Sequence, residues 1–142
     1  RYKRVYLSPG TGIISDFGYA SKFTDETFIP AGLLMTRVVS HGGPGLFTLD
    51  LGYKGIAADP PGLKGCLMGD WHASPINQNE EHWIWKMDEG YEDQRPGIGS
   101  VLYVIPTHIC PTSALYPEAL VALDGQIVDI WEVTARNRKL SI

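Results

Sequence analysis

Two side chains two positions apart carry the strongest chemical signal in the chain. They are His108 and Cys110, in the run Pro106-Thr-His-Ile-Cys-Pro-Thr112. On an extended backbone, side chains alternate, so the imidazole and the thiol point to one side and Ile109 to the other. Imidazole and thiolate together suit zinc or a similar borderline-to-soft divalent ion. Two protein ligands leave a tetrahedral site open to water or substrate, which distinguishes a catalytic metal from a structural one. The same pair also fits a plainer alternative, a buried His and a buried Cys with no ion between them. Pro106 and Pro111 stiffen the exit of the segment, and binding groups tend to sit on loops held by a rigid scaffold.

Other groups are candidates for a role beside that pair. Asp50 lies between Leu49 and Leu51. A carboxylate buried there needs a partner or a raised pKa. It reads either as an acid orienting an active-site neighbour or as a turn residue bonding nearby amides. His82 closes Asn79-Glu-Glu-His82 and reads either as a catalytic group near the metal or substrate, or as a core or rim histidine. Asp70 and His72 have ligand-type spacing, but in a loop-like stretch where such pairs arise by chance. Gly10 and Gly12 resemble part of a phosphate-cradling loop, yet no G-x-G-x-x-G or P-loop pattern is completed. Arg136, Arg138 and Lys139 read as a solvated basic tail.

These groups need strands to position them. Residues 32–40, 46–49, 65–68, 83–86 and 101–105 are apolar, β-branched or alternating, and each reads as a strand. Residues 5–7 and 13–15 are shorter strand candidates. Residues 41–45, His-Gly-Gly-Pro-Gly, form a hairpin-type connection. Residues 120–123 and 126–131 flank Asp124-Gly125, the clearest hairpin in the chain. Residues 8–12, 59–62, 70–75 and 87–99 read as turns and loops, and residues 19–23 and 113–119 as short helical turns. Strands dominate and no β-α-β alternation appears. The fold class is therefore mainly β, a small antiparallel β-barrel or sandwich with one or two short helical turns.

The run around His108 and Cys110 resembles the metal-binding signature of the D-serine dehydratase and D-threonine aldolase family. Four other stretches match in the same order: Thr36-Arg-Val-Val-Ser40, Leu46-Phe-Thr-Leu-Asp-Leu-Gly-Tyr-Lys54, Asn79-Glu-Glu-His82 and Trp131-Glu-Val-Thr-Ala-Arg136. The resemblance covers residues 32–138. It implies a C-terminal β-domain behind an N-terminal α/β barrel, with residues 1–31 as the hinge leaving that barrel and residues 32–142 as the β-domain. The barrel would carry the Schiff-base lysine and the pyridoxal phosphate. None of Lys3, Lys22, Lys54, Lys64, Lys86 or Lys139 lies in the expected context for that lysine, so the cofactor is not assigned to this chain alone. The resemblance further implies a lyase acting on small D-3-hydroxy amino acids such as D-serine or D-threonine. It implies His108 and Cys110 as metal ligands, a homodimer in the longer enzyme, and an isolated β-domain without activity. The aldolase branch often resembles H-x-D, with a carboxylate where Cys110 stands. The thiol here favours zinc over manganese or magnesium. The alternative reading is a non-catalytic β-barrel binding module with a structural His/Cys pair. The two differ in access, since a catalytic pair faces a solvent-reachable cleft and a structural pair is enclosed.

Composition narrows the partners. The chain has 142 residues, enough for one domain with a modest core. Its net charge of −4 points away from nucleic acid and anionic membrane surfaces. No apolar run is long enough to span a bilayer, and none has the pattern of a secretory signal. With only Cys66 and Cys110 there is no disulfide framework, which is the pattern of reduced thiols in a cytoplasmic protein. The opening Arg1-Tyr-Lys-Arg-Val-Tyr-Leu7 reads as the interior of a longer polypeptide.

Overall fold

A computed structural model describes residues 4–8, 10–25, 27–137 and 139–140. Pro9 of the expected turn at 8–12 and Arg138 of the basic run lie outside the described residues. The fold is mainly β, as the strand pattern requires. Six strands form one antiparallel sheet: β1 (Leu34–Gly43), β2 (Leu46–Leu49), β3 (Gly65–Leu67), β4 (Ala73–Gln78), β5 (Trp83–Met87) and β6 (Val101–Pro106). Their order is β3-β6-β1-β2-β5-β4. The last two strands, β7 (Glu118–Leu123) and β8 (Gln126–Glu132), make a separate hairpin.

The core follows from alternation. Leu34, Thr36 and Val38 of β1 face inward while Met35, Arg37 and Val39 face out. Phe47 and Leu49 of β2, Trp83, Trp85 and Met87 of β5, and Leu102 and Val104 of β6 complete the inner face, joined by Leu51 and Ile56 from the loop after β2. Register irregularities between β1 and β2, at Val38/Ser40 and Ser40/Gly43, bend the long first strand. The sheet therefore curls over this core.

Two glycines hold the connections close. Gly52 lies against the turn joining β4 to β5, and a Cβ there would stand 2.2 Å from the Glu80 carbonyl carbon. Tyr53 and Lys54 donate backbone hydrogen bonds to the carbonyls of Asn79 and Glu80, at 2.9 and 3.0 Å. The two motif stretches at 50–54 and 79–82 are thus docked on each other. At the Asp124-Gly125 turn both residues have positive φ, 50° and 76°, the requirement of a type I′ hairpin.

Several expectations are corrected. Residues 5–7 form no strand and Thr11–Ile13 is a single 3₁₀ turn, because neither short apolar run finds a strand to pair with. Residues 73–75, expected as loop, begin β4; Pro75 is tolerated because β4 lies at the sheet edge. The first helix, α1 (Phe17–Lys22), starts earlier than expected because the Asp16 side chain caps it. The second, α2 (Ile109–Ser113), stands before the expected turn at 113–119, and Glu118 and Ala119 already belong to β7. Among the described residues no helix is long and apolar enough to cross a membrane.

Candidate metal centre

Strand β6 delivers the candidate ligands. It pairs with β1 on one side and β3 on the other, and Pro106, buried, closes the ladder opposite Gly65. Thr107 then fastens the exit. Its N–H donates to the Lys64 carbonyl and its hydroxyl to the Leu63 carbonyl, both at 2.8 Å. Its own carbonyl accepts from the Gly18 N–H at 3.1 Å. Gly18 is required at this approach, since a Cβ would lie 2.3 Å from the Thr107 oxygen.

The chain next turns a corner. His108 is extended and is the N-cap residue of α2, which begins at Ile109. The expected extended segment from His108 to Cys110 is therefore overturned, and period-two alternation does not govern the pair. The cause lies in distant partners. The Ile109 N–H, buried, donates to Asp16 Oδ2 at 3.0 Å. Thr112 Oγ1 donates to the His108 carbonyl at 2.7 Å and accepts from the Ala57 N–H at 3.2 Å. Pro111 falls in the first helical turn, where a missing N–H removes no bond.

Each candidate ligand has its own neighbour. His108 Nδ1 stands 2.6 Å from Asp59 Oδ2, with the two side chains 42% and 52% exposed. Cys110 is exposed and its Sγ lies 3.1 Å from Thr11 Oγ1. Both donors are reachable from solvent. Among the described residues, no three His, Cys, Asp or Glu side chains gather into a complete metal-binding group. The corner thus offers an oriented imidazole and a free thiol.

The other candidates lie elsewhere. Asp50, expected to be buried, is exposed, and its Oδ1 accepts from the Thr36 hydroxyl and the Arg37 N–H, both at 2.7 Å. It clamps the end of the β1–β2 pairing. His82 is exposed in the β4–β5 turn, where its N–H donates to Asn79 Oδ1 at 2.6 Å. His72 stacks on Tyr91 with ring centroids 3.8 Å apart. Among the described residues no hydrogen bond links Asp50, Asp70, His72 or His82 to His108 or Cys110. Asp16, Asp59, Thr11 and Thr112 were not visible as parts of the site. Asp16 had a readable signal, a capping residue before a helical stretch. Asp59 sits in a Pro-rich turn, and no local pattern ties it to a histidine 49 positions away.

Three groups elsewhere have shifted titration. The Glu81 carboxylate, hydrogen-bonded to Lys54, holds that ammonium above its ordinary value. Burial pushes the Cys66 thiol up. Burial, and secondarily the charge of Asp50, pushes the Tyr116 phenol up, and its hydroxyl donates to the Gly55 carbonyl at 2.8 Å.

Comparison with known proteins adds the following. The family described as Putative serine dehydratase domain matches residues 31–122. A D-threonine aldolase of Arthrobacter sp. is 32% identical over 135 residues, which cover 92% of this chain and 34% of that enzyme. Among solved structures, D-threonine aldolase from Filomicrobium marinum superposes with a TM-score of 0.79 at 23% identity, over 92% of this chain and 35% of that one. D-threo-3-hydroxyaspartate dehydratase, as a cysteine-to-alanine variant in a metal-free form, superposes with a TM-score of 0.60 at 21% identity, over 70% of this chain and 31% of that one. A second alanine variant of that dehydratase replaces a histidine two positions before the cysteine. The chain spans about a third of the length of these enzymes.

Proposed function

The chain belongs to the serine dehydratase domain family, and we propose that it is the metal-binding β-domain of a lyase acting on small D-3-hydroxy amino acids. His108 and Cys110 are its metal ligands in this reading. The observation that carries it is access: an imidazole and a thiol two positions apart both face solvent at one rigid corner, whereas a structural pair would be enclosed. The dehydratase variants altered at a histidine and a cysteine of the same spacing support it.

The donor chemistry fits a metal. A neutral imidazole with one nitrogen against a carboxylate presents the other nitrogen as a ligand, and a thiol binds once it loses its proton. The soft sulfur favours zinc. A bound divalent ion supplies Lewis acidity at the substrate hydroxyl. Cys110 has a single side-chain torsion and is exposed, so its thiol can exchange the Thr11 contact for an ion while the helix stays in place. Two protein donors would leave positions open to substrate or water.

Pyridoxal phosphate, which the lyase reading also requires, is not assigned to this chain alone. Lys54 is paired with Glu81, and the Lys64 ammonium is held by the carbonyls of Ala58 and Pro60. Neither is a free amine facing His108. The cofactor and its lysine are assigned to a further domain, and so is the choice between dehydration and Cα–Cβ cleavage.

The test is cobalt titration of the reduced chain, followed by assay of the polypeptide carrying this domain against D-serine and D-threonine, with and without chelator. A thiolate-to-cobalt absorption band should form, vanish in Cys110→Ser, and weaken or shift in His108→Ala, with the β-sheet signal unchanged. Equal binding by both variants and the parent rejects the metal assignment. A chelator-insensitive lyase rejects the mechanism.

A further inference from the structure

Resting on the metal-site reading above, we infer that Asp59 is the positioning residue of the centre: it fixes the tautomer and ring orientation of His108, and Lys64 fixes Asp59. The Asp59 Oδ2 to His108 Nδ1 distance of 2.6 Å is that of a charge-assisted hydrogen bond. A carboxylate accepts, so the shared proton sits on Nδ1, and in the neutral ring Nε2 then keeps its lone pair. That leaves Nε2 as the metal donor. Carboxylate partners of this kind orient ligating histidines and raise their basicity.

Asp59 is in turn braced. The Lys64 ammonium donates to the carbonyls of Ala58, at 2.9 Å, and of Pro60, the residues on either side of Asp59. The Lys64 carbonyl accepts from Thr107, the residue before His108, and the Leu63 carbonyl accepts from the Thr107 hydroxyl. One lysine therefore ties the carboxylate loop by its side chain and the strand exit by its backbone. The loop and the imidazole are thereby tied through the same lysine. Asp59 and Lys64 lie 49 and 44 positions before His108, so the device exists only in the folded chain.

The inference is tested on this chain by two measurements. The first is the long-range proton–nitrogen correlation of His108 in the metal-free protein at about pH 8, where an ordinary imidazole is neutral. The parent should carry its proton on Nδ1. Asp59→Ala should move it to Nε2 or mix the two forms. Asp59→Asn, which keeps an acceptor oxygen, should retain the parent pattern. The second is zinc affinity by competition with a chromophoric chelator. Asp59→Ala should bind about 10–100-fold more weakly, the loss typical of a missing outer partner. Asp59→Asn should lose less, and Lys64→Met should fall between parent and Asp59→Ala. A parent imidazole protonated on Nε2 overturns the inference. So does unchanged zinc affinity in Asp59→Ala where His108→Ala weakens binding. If His108→Ala and Cys110→Ser bind zinc like the parent, the metal reading fails instead, and the tautomer still decides the Asp59–His108 contact. Should Asp59→Ala not fold, the isosteric Asp59→Asn and the parent tautomer carry the decision.

Discussion

Replacing Asp16 should loosen two helices at once. Asp16 is 1% exposed, and its two carboxylate oxygens serve different segments. Oδ1 accepts from the Tyr19 N–H at 2.9 Å and caps α1. Oδ2 accepts from the Ile109 N–H at 3.0 Å and holds the first residue of α2. In Asp16→Ala the cap is lost, at about 1 kcal/mol. The buried Ile109 N–H is also stranded, at about 1–3 kcal/mol. The sum is about 2–4 kcal/mol, a large share of the roughly 5–15 kcal/mol that holds a domain of ordinary stability. Asp16→Asn keeps one acceptor but turns an NH₂ toward one of the two N–H donors, so it should cost about 1–3 kcal/mol. Urea unfolding measures both, with an unchanged m-value showing that the denatured state is comparable. Amide exchange locates the effect: the Tyr19 and Ile109 amides should exchange faster than those of Phe47 and Val104. Parent-like unfolding of Asp16→Ala would refute the bridging role. So would a loss in Asp16→Asn as large as that in Asp16→Ala, since the two oxygens would then not act separately.

Three further outcomes follow from the same contacts. Gly52→Ala places a Cβ against the Glu80–Glu81 backbone and should destabilise by about 3 kcal/mol, read as a lowered urea midpoint; a neutral result would mean that the β4–β5 turn is not seated on Gly52. Cys66 and Tyr116 both titrate above their ordinary values of 9.0 and 10.0, so the folded state keeps protons that the unfolded state releases. Stability should therefore be intact below about pH 9 and decline above it, and Tyr116→Phe should flatten the upper part of that decline; stability rising with pH in this window would contradict the assignment. Iodoacetamide should modify exposed Cys110 before half-buried Cys66, and zinc should protect Cys110 alone. Faster labelling of Cys66, or protection of both thiols, would oppose the site reading.

The strands were legible because each carries its own pattern. Leu34, Thr36 and Val38 alternate with exposed neighbours, Trp83 and Trp85 alternate with half-buried Ile84 and exposed Lys86, and Asp124-Gly125 announces its hairpin without help from the rest of the chain. The candidate site was legible in its residue types, His108 and Cys110, but not in its backbone. His108, Ile109 and Cys110 between two prolines look extended, but Ile109 and Cys110 are helical, with the Asp16 and Thr112 contacts holding the turn. Asp50 between two leucines looks buried, yet it lies just past the end of β2, where the chain leaves the sheet and its carboxylate reaches solvent. Pro75 looks like a loop residue, and the edge position that permits it in a strand is a property of the assembled sheet. Each miss has one origin: contacts that exist only in the assembled fold set the local conformation.

That origin also explains how the corner divides its work. The sheet supplies no ligand; it fixes the point at which β6 ends. Beyond that point three separate segments hold His108. Asp16 holds the backbone N–H after it, Thr112 holds its carbonyl, and Asp59 holds its ring. Among the described residues Cys110 Sγ has one hydrogen-bonding partner, the Thr11 hydroxyl, and the residue lies exposed. One candidate ligand is thus preorganised and the other adaptable. In the metal reading, an ion would be located by His108 and captured by Cys110, so loss of the thiol should weaken binding without moving the ion. Loss of the imidazole should leave a thiolate that can follow the ion to more than one position. Cobalt spectra of the two variants would then differ in kind: one sharp spectrum lacking the sulfur band for Cys110→Ser, and a broadened spectrum retaining it for His108→Ala.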